Sequence, residues 1–176
     1  MARAFLLPAF YLLLSVGKIT GAEWTTTSIP TQPSQQQKIW LRCYLQVPDR
    51  LTKSAGDERD LWRSSTVLAI ADLPGPFEIF LNGESIVKSP GIPDGKEQRF
   101  KVPKNILKKT DFNSLLIRLE EKSSKRGLAS APVILDYFNE LVLGSEWQFT
   151  TIAPSKEDFA SSPGKPRHAA YSSDQF

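Results

Sequence analysis

Residues 77–87 read FEIFLNGESIV, and this stretch decides the fold. Phe77, Ile79 and Leu81 alternate with polar or outward positions, the period of a strand with one buried face. Asn82–Gly83 follows at once. Both residues tolerate positive φ, which a two-residue type I′ turn requires, so the chain reverses there and Glu84–Val87 returns as the partner strand.

The same period of two extends outward in both directions. Ile39–Val47 (IWLRCYLQV) places Ile39, Leu41, Cys43, Leu45 and Val47 on one parity, with Trp40 and Tyr44 on the other. Leu61–Asp72 contains VLAIAD, an apolar run suited to a strand buried on both faces, and Pro74–Gly75–Pro76 ends it. Downstream, Glu97–Val102, Asn113–Glu121, Pro132–Tyr137 and Ser145–Thr151 read as strands, and Pro103–Thr110 as one helical or 3₁₀ turn. Trp24–Lys38 is a lead-in with at most a short edge strand. No stretch after residue 22 sustains a 3.6-residue apolar repeat. The expected fold is all-β, a jelly-roll β-sandwich.

At the N-terminus, Arg3 precedes the uncharged apolar run Ala4–Val16. Small residues Thr20 and Ala22 then stand at −3 and −1 of a cleavage site. The run is shorter than the ~18 residues that cross a bilayer, so residues 1–22 read as a cleavable signal peptide and Glu23 as the mature N-terminus. The mature protein is expected to be secreted or periplasmic, without a membrane anchor. The expected organisation is a β-sandwich domain over 23–152 and a disordered tail over 153–176, where Pro, Ser, Gly and Lys dominate.

Charge and composition narrow the function. The chain carries net charge +3, but Arg3 and Lys18 leave with the leader and no acid does. The remaining bases are interleaved with acids, a solvated surface rather than a phosphate-binding stripe, so nucleic acid is not an expected partner. Cys43 is the only cysteine and His168 the only histidine. His168 lies in the polar tail, so neither a Cys–His pair nor a Ser–His–Asp set has a plausible base. No Cys/His metal set can be assembled and no cofactor is expected. The acids Asp57, Glu58 and Asp60, and Glu120–Glu121, sit beside Arg59, Arg63 and Lys122 and read as surface rather than as a glycosidase pair.

The order of these features, FEIFLNGESI, then FKVPKNILKKTDFNSLLIRLEE, then GLASAPVIL, resembles the galactose-binding-like domains that accompany family 2 glycoside hydrolases as sugar-binding or accessory modules. Phe77–Gly83, Phe100–Leu107 and Asn113–Leu119 carry the match, which covers about Ile39–Leu135. The ending LVLGSEWQF is similar to an element that recurs beside such domains. A similar module occurs in large secreted bacterial dehydrogenase-like proteins with separate haem domains. The resemblance implies an accessory module, not an enzyme, because those hydrolases keep their catalytic carboxylates in a separate domain. A carbohydrate or cell-surface glycan is the partner it implies. Sugar faces stack on Trp or Tyr beside fixed polar groups, which makes Trp40, Tyr44 and Trp62 the candidate ligand-binding residues. A second packed face or an interdomain contact accounts for the same rings. An exported protein partner, with no sugar affinity in the domain, is the alternative.

Overall fold

Among the described residues, eleven strands and a helical turn at Lys156–Phe159 are formed, and the longer strands keep the alternation read above. They are seen in a computed structural model that describes residues 22–29, 38–48, 51, 66–73, 75–93, 95–103, 105–120, 127–136, 139–144, 146–162 and 170–171. The strands are β1 (Thr25–Thr27), β2 (Ile39–Leu45), β3 (Val67–Ala71), β4 (Phe77–Leu81), β5 (Glu84–Ser89) and β6 (Glu97–Lys101). They continue with β7 (Asn113–Leu119), β8 (Val133–Leu135), β9 (Glu140–Val142), β10 (Trp147–Thr150) and β11 (Ala170–Tyr171); α1 is Lys156–Phe159.

Two sheets form a β-sandwich. The larger runs β1-β10-β2-β7-β4-β5, and the smaller runs β6-β3-β8-β9. All these pairings are antiparallel. β11 adds to β2 in parallel beyond the end of β10. One apolar cluster fills the space between the sheets. It takes Ile39, Leu41, Cys43 and Leu45 from β2, Leu115, Ile117 and Leu119 from β7, and Leu68, Ile70 and Ile134 from the smaller sheet. These are the odd positions of β2 and β7, as the pleat requires. Trp147 is wholly buried in the same cluster, and its indole N–H donates to the Leu143 carbonyl.

The hairpin lies where the sequence puts it. Asn82 and Gly83 have φ of 48° and 89°, and Leu81 pairs with Glu84 across the two-residue turn. The turn is also tied to the next segment. Asn82 Nδ2 donates to Asn113 Oδ1 at 2.7 Å and to the Ile106 carbonyl at 2.6 Å. The fully buried Asn113 donates to the Lys108 carbonyl and accepts from the Lys108 N–H. This network holds Ile106 and Lys108, and the single turn expected over Pro103–Thr110 is present in its 3₁₀ form, closed by Ile106 N–H on the Pro103 carbonyl.

Two expectations need correction. β9 lies between two expected strands, where the sequence reading places none, its three residues being too short to show alternation. The segment after Ile152, expected to be disordered, is packed over its described residues 153–162: α1 lies against β7, and Phe112 and Ser162 exchange both backbone hydrogen bonds. Its Pro- and Ser-rich composition hides this because every anchor it uses lies more than forty positions away. The stretch expected to be a signal peptide, as far as Gly21, together with Trp62 and the acids Asp57, Glu58 and Asp60, lies outside the described residues.

Candidate functional site

The outer face of the larger sheet collects the chemistry. Even positions of β2 point there, and the register places Gln148 and Leu116 on either side of Arg42, Thr150 and Arg118 on either side of Trp40, and Ser114 beside Tyr44. Phe80 and Glu78 extend the same rows from β4. The sequence leaves Trp40 and Tyr44 either as a stacking surface or as a second packed face. Here the face is covered: Trp40 is 7% exposed, Arg42 1% and Tyr44 6%.

The cover is the chain's own segment Ser155–Phe159. Phe159 packs edge-on against Trp40 (centroids 5.7 Å apart, 87°) and Phe80 (5.1 Å, 79°), and Trp40 and Phe80 are 5.9 Å apart. Three rings thus make one contact set, in which Phe159 meets both others in the edge-to-face geometry that the ring quadrupole favours, while Trp40 and Phe80 are tilted by 34°. Beside it, Asp158 forms an ion pair with Arg42 and accepts the Trp24 indole N–H at 2.9 Å. The Ser155 N–H and hydroxyl both donate to the other carboxylate oxygen at 2.9 Å, and the Ser114 hydroxyl donates to the Asp158 carbonyl.

Arg42 is the centre of the arrangement. Its Nε and Nη2 both donate to Gln148 Oε1, at 3.2 and 2.9 Å, and Nη1 donates to the Tyr44 hydroxyl and to Asp158. The guanidinium carbon lies 3.8 Å from the centre of the Trp24 ring and 4.9 Å from that of Tyr44. Burial pulls the Arg42 guanidinium below its ordinary range, against the opposing pull of Tyr44 and Asp158. Arginine still holds its proton at neutral pH. Burial pushes the Tyr44 hydroxyl up. For Asp158 burial acts upward too, but the Ser155 donors, the Arg42 charge and the Trp24 N–H together hold its carboxyl below the usual aspartate range.

The candidate ligand-binding residues therefore separate. Trp40 and Tyr44 are brought to one face, but as buried parts of an internal contact and not as an open stacking platform. Trp62 lies outside the described residues. Sequence reasoning missed Arg42, Gln148, Asp158 and Phe159. The one available signal was an arginine at the centre of an otherwise apolar strand, a position where burial demands a counter-charge. Cys43 faces the core, and burial pushes its thiol up, so little nucleophilic thiolate forms.

Comparison with known proteins adds little to this geometry. No protein-family model matches the chain, and no curated protein does. Among solved structures, the native alfa-L-rhamnosidase from Aspergillus terreus aligns with a TM-score of 0.42 and 18% identity. That alignment covers 74% of this chain and 16% of the rhamnosidase chain.

Proposed function

We propose that this chain supplies a non-catalytic interaction module to an exported assembly, and that the outer face of its larger sheet docks polypeptide. One observation carries the reading: the face takes up a carboxylate at Arg42 and a ring at Trp40 and Phe80, and the group seated there is a peptide segment, Asp158–Phe159. An ion pair and a ring contact placed side by side select an acidic residue followed by an aromatic one. Export rests on the leader read in residues 1–22. Among the described residues, no helix is long and apolar enough to cross a membrane.

The test is binding in trans. A peptide spanning residues 154–162 is added to the full chain carrying Asp158→Ala and Phe159→Ala, whose face is vacated. It should bind that variant at least about tenfold more tightly than the unaltered chain, a difference of about 1.4 kcal/mol. Equal or absent binding, with the β-sheet signal intact, would overturn the reading.

A saccharide is the second reading, favoured by the Trp24 and Tyr44 rings that bracket Arg42 beside Gln148, a set suited to a carboxylated sugar. A glycan panel decides it. Binding by the unaltered chain, lost in a folded Trp40→Ala variant, would establish the sugar and displace the polypeptide reading.

A further inference from the structure

We propose that Asn82 is a site of spontaneous deamidation that the native turn holds unreactive, and that the modified residue bars return to the native hairpin. A chain that opens here long enough is thereby marked irreversibly.

Asn82–Gly83 is the one Asn–Gly pair in the sequence. The reaction needs only water. The Gly83 nitrogen attacks Asn82 Cγ and an N–C bond forms. The Cγ–Nδ2 bond breaks, and ammonia leaves carrying the proton given up by the glycine nitrogen. Water then opens the resulting five-membered imide at either carbonyl, giving aspartate or isoaspartate. Glycine in the second position has no side chain to obstruct the attack, and Gly83 is exposed.

The fold takes away the reactive geometry. Asn82 Oδ1 accepts the Ser114 N–H at 2.8 Å, while Nδ2 donates to the Ile106 carbonyl at 2.6 Å and to Asn113 Oδ1 at 2.7 Å. The Asn82 N–H donates to the Ser114 carbonyl at 2.8 Å. Cγ therefore cannot swing onto the Gly83 nitrogen without breaking three side-chain hydrogen bonds.

The same contacts reject the product. A carboxylate donates nothing, so an oxygen in place of Nδ2 faces two acceptors, Asn113 Oδ1 and the Ile106 carbonyl. Asn113 cannot turn its amide to help. Its Oδ1 also accepts the Lys108 N–H, and its Nδ2 serves the carbonyls of Lys108 and Leu45. Isoaspartate adds a backbone carbon between β4 and β5, for which the two-residue turn pairing Leu81 with Glu84 has no room.

The test incubates the full chain at mildly alkaline pH in native buffer and in unfolding guanidinium chloride. Peptide mapping by mass spectrometry follows conversion of the amide at Asn82. Conversion should be at least about tenfold slower in native buffer, the factor that about 1.4 kcal/mol of local opening imposes. Dilution of the denatured sample should return unmodified chains to the β-sheet form and leave modified chains out of it. Asn82→Gly, which removes the amide and keeps the positive φ, is the comparison for Asn82→Asp. The Asn82→Asp chain should have the lower denaturant midpoint of the two. Equal rates in both buffers, or no conversion in the denatured chain, overturns the site. Modified chains that refold as fully as unmodified ones, or an Asn82→Asp midpoint at or above that of Asn82→Gly, overturn the bar to return.

Discussion

Arg42 and Asp158 stand 116 residues apart in the chain and meet as an ion pair on the outer face of the larger sheet. Arg42 is 1% exposed. A guanidinium so desolvated needs its partners, and removing one side of a buried pair typically costs about 3–5 kcal/mol because the remaining charge is left uncompensated. Asp158→Ala should therefore lower unfolding stability by about 3 kcal/mol in urea titrations. Arg42→Met, which fills similar space without charge, should cost less. The reverse order would mean that the pair contributes no more than its packing.

Acid should loosen the same contact. The Asp158 carboxyl is held below its ordinary range in the folded chain, so its contribution is complete above the unfolded value of about 3.9 and is lost as pH falls through the lower folded value. Trp24, stacked on Arg42 and bonded to Asp158, reports this by fluorescence. A transition below about pH 4, absent in Asp158→Asn, is the expected result. A transition centred near neutrality would assign the change to another group.

Local chemistry made the hairpin readable, whereas distance hid the covered face. Asn82–Gly83 needs only its own φ preferences and the alternation of Phe77, Ile79 and Leu81, all within a few residues. The even positions of β2 carry the opposite lesson. Trp40 and Tyr44 read as either a stacking surface or a second packed face, and what covers them stayed hidden because Ser155–Phe159 comes from a stretch with the composition of a loop. Nothing within reach of a periodicity window connects the two. β9 escaped for a different reason: three residues pair through the backbone with β8 and show too little alternation to be seen.

Gly83→Val tests the turn. At φ of 89° a β-branched residue is strained, and the surroundings are not the cause, since an added Cβ would lie 3.8 Å from Phe159, ordinary contact. The expected loss is about 1 kcal/mol or more, measured by thermal or urea unfolding. A neutral outcome would show that the turn tolerates another conformation.

Asn113→Ala should be costlier than its single amide suggests. The side chain is fully buried and satisfies Lys108 N–H and its carbonyl while accepting from Asn82. Its loss leaves several buried groups without partners, at about 1–3 kcal/mol each when unrepaired. Hydrogen exchange should speed first at Lys108, ahead of global opening. Uniform protection with unchanged stability would mean that water replaces the amide.

Two tryptophans on opposite faces of the larger sheet should respond differently to the same substitution. Trp147 lies wholly inside the sandwich, so Trp147→Ala opens a cavity between the sheets and should cost about 3–5 kcal/mol, lost globally. Trp40 faces outward, against Phe80, Phe159 and the Arg118 guanidinium 5.7 Å away. There a missing ring need not remain a cavity, because α1 can lift and let water in. The Trp40→Ala loss should therefore appear as detachment of the segment. The mutual hydrogen bonds of Phe112 and Ser162 should lose exchange protection, while the ladder between β4 and β7 keeps it. If both ladders open together in Trp40→Ala, then the outer face is an inseparable part of the core. A partner could not then reach it without unfolding the domain.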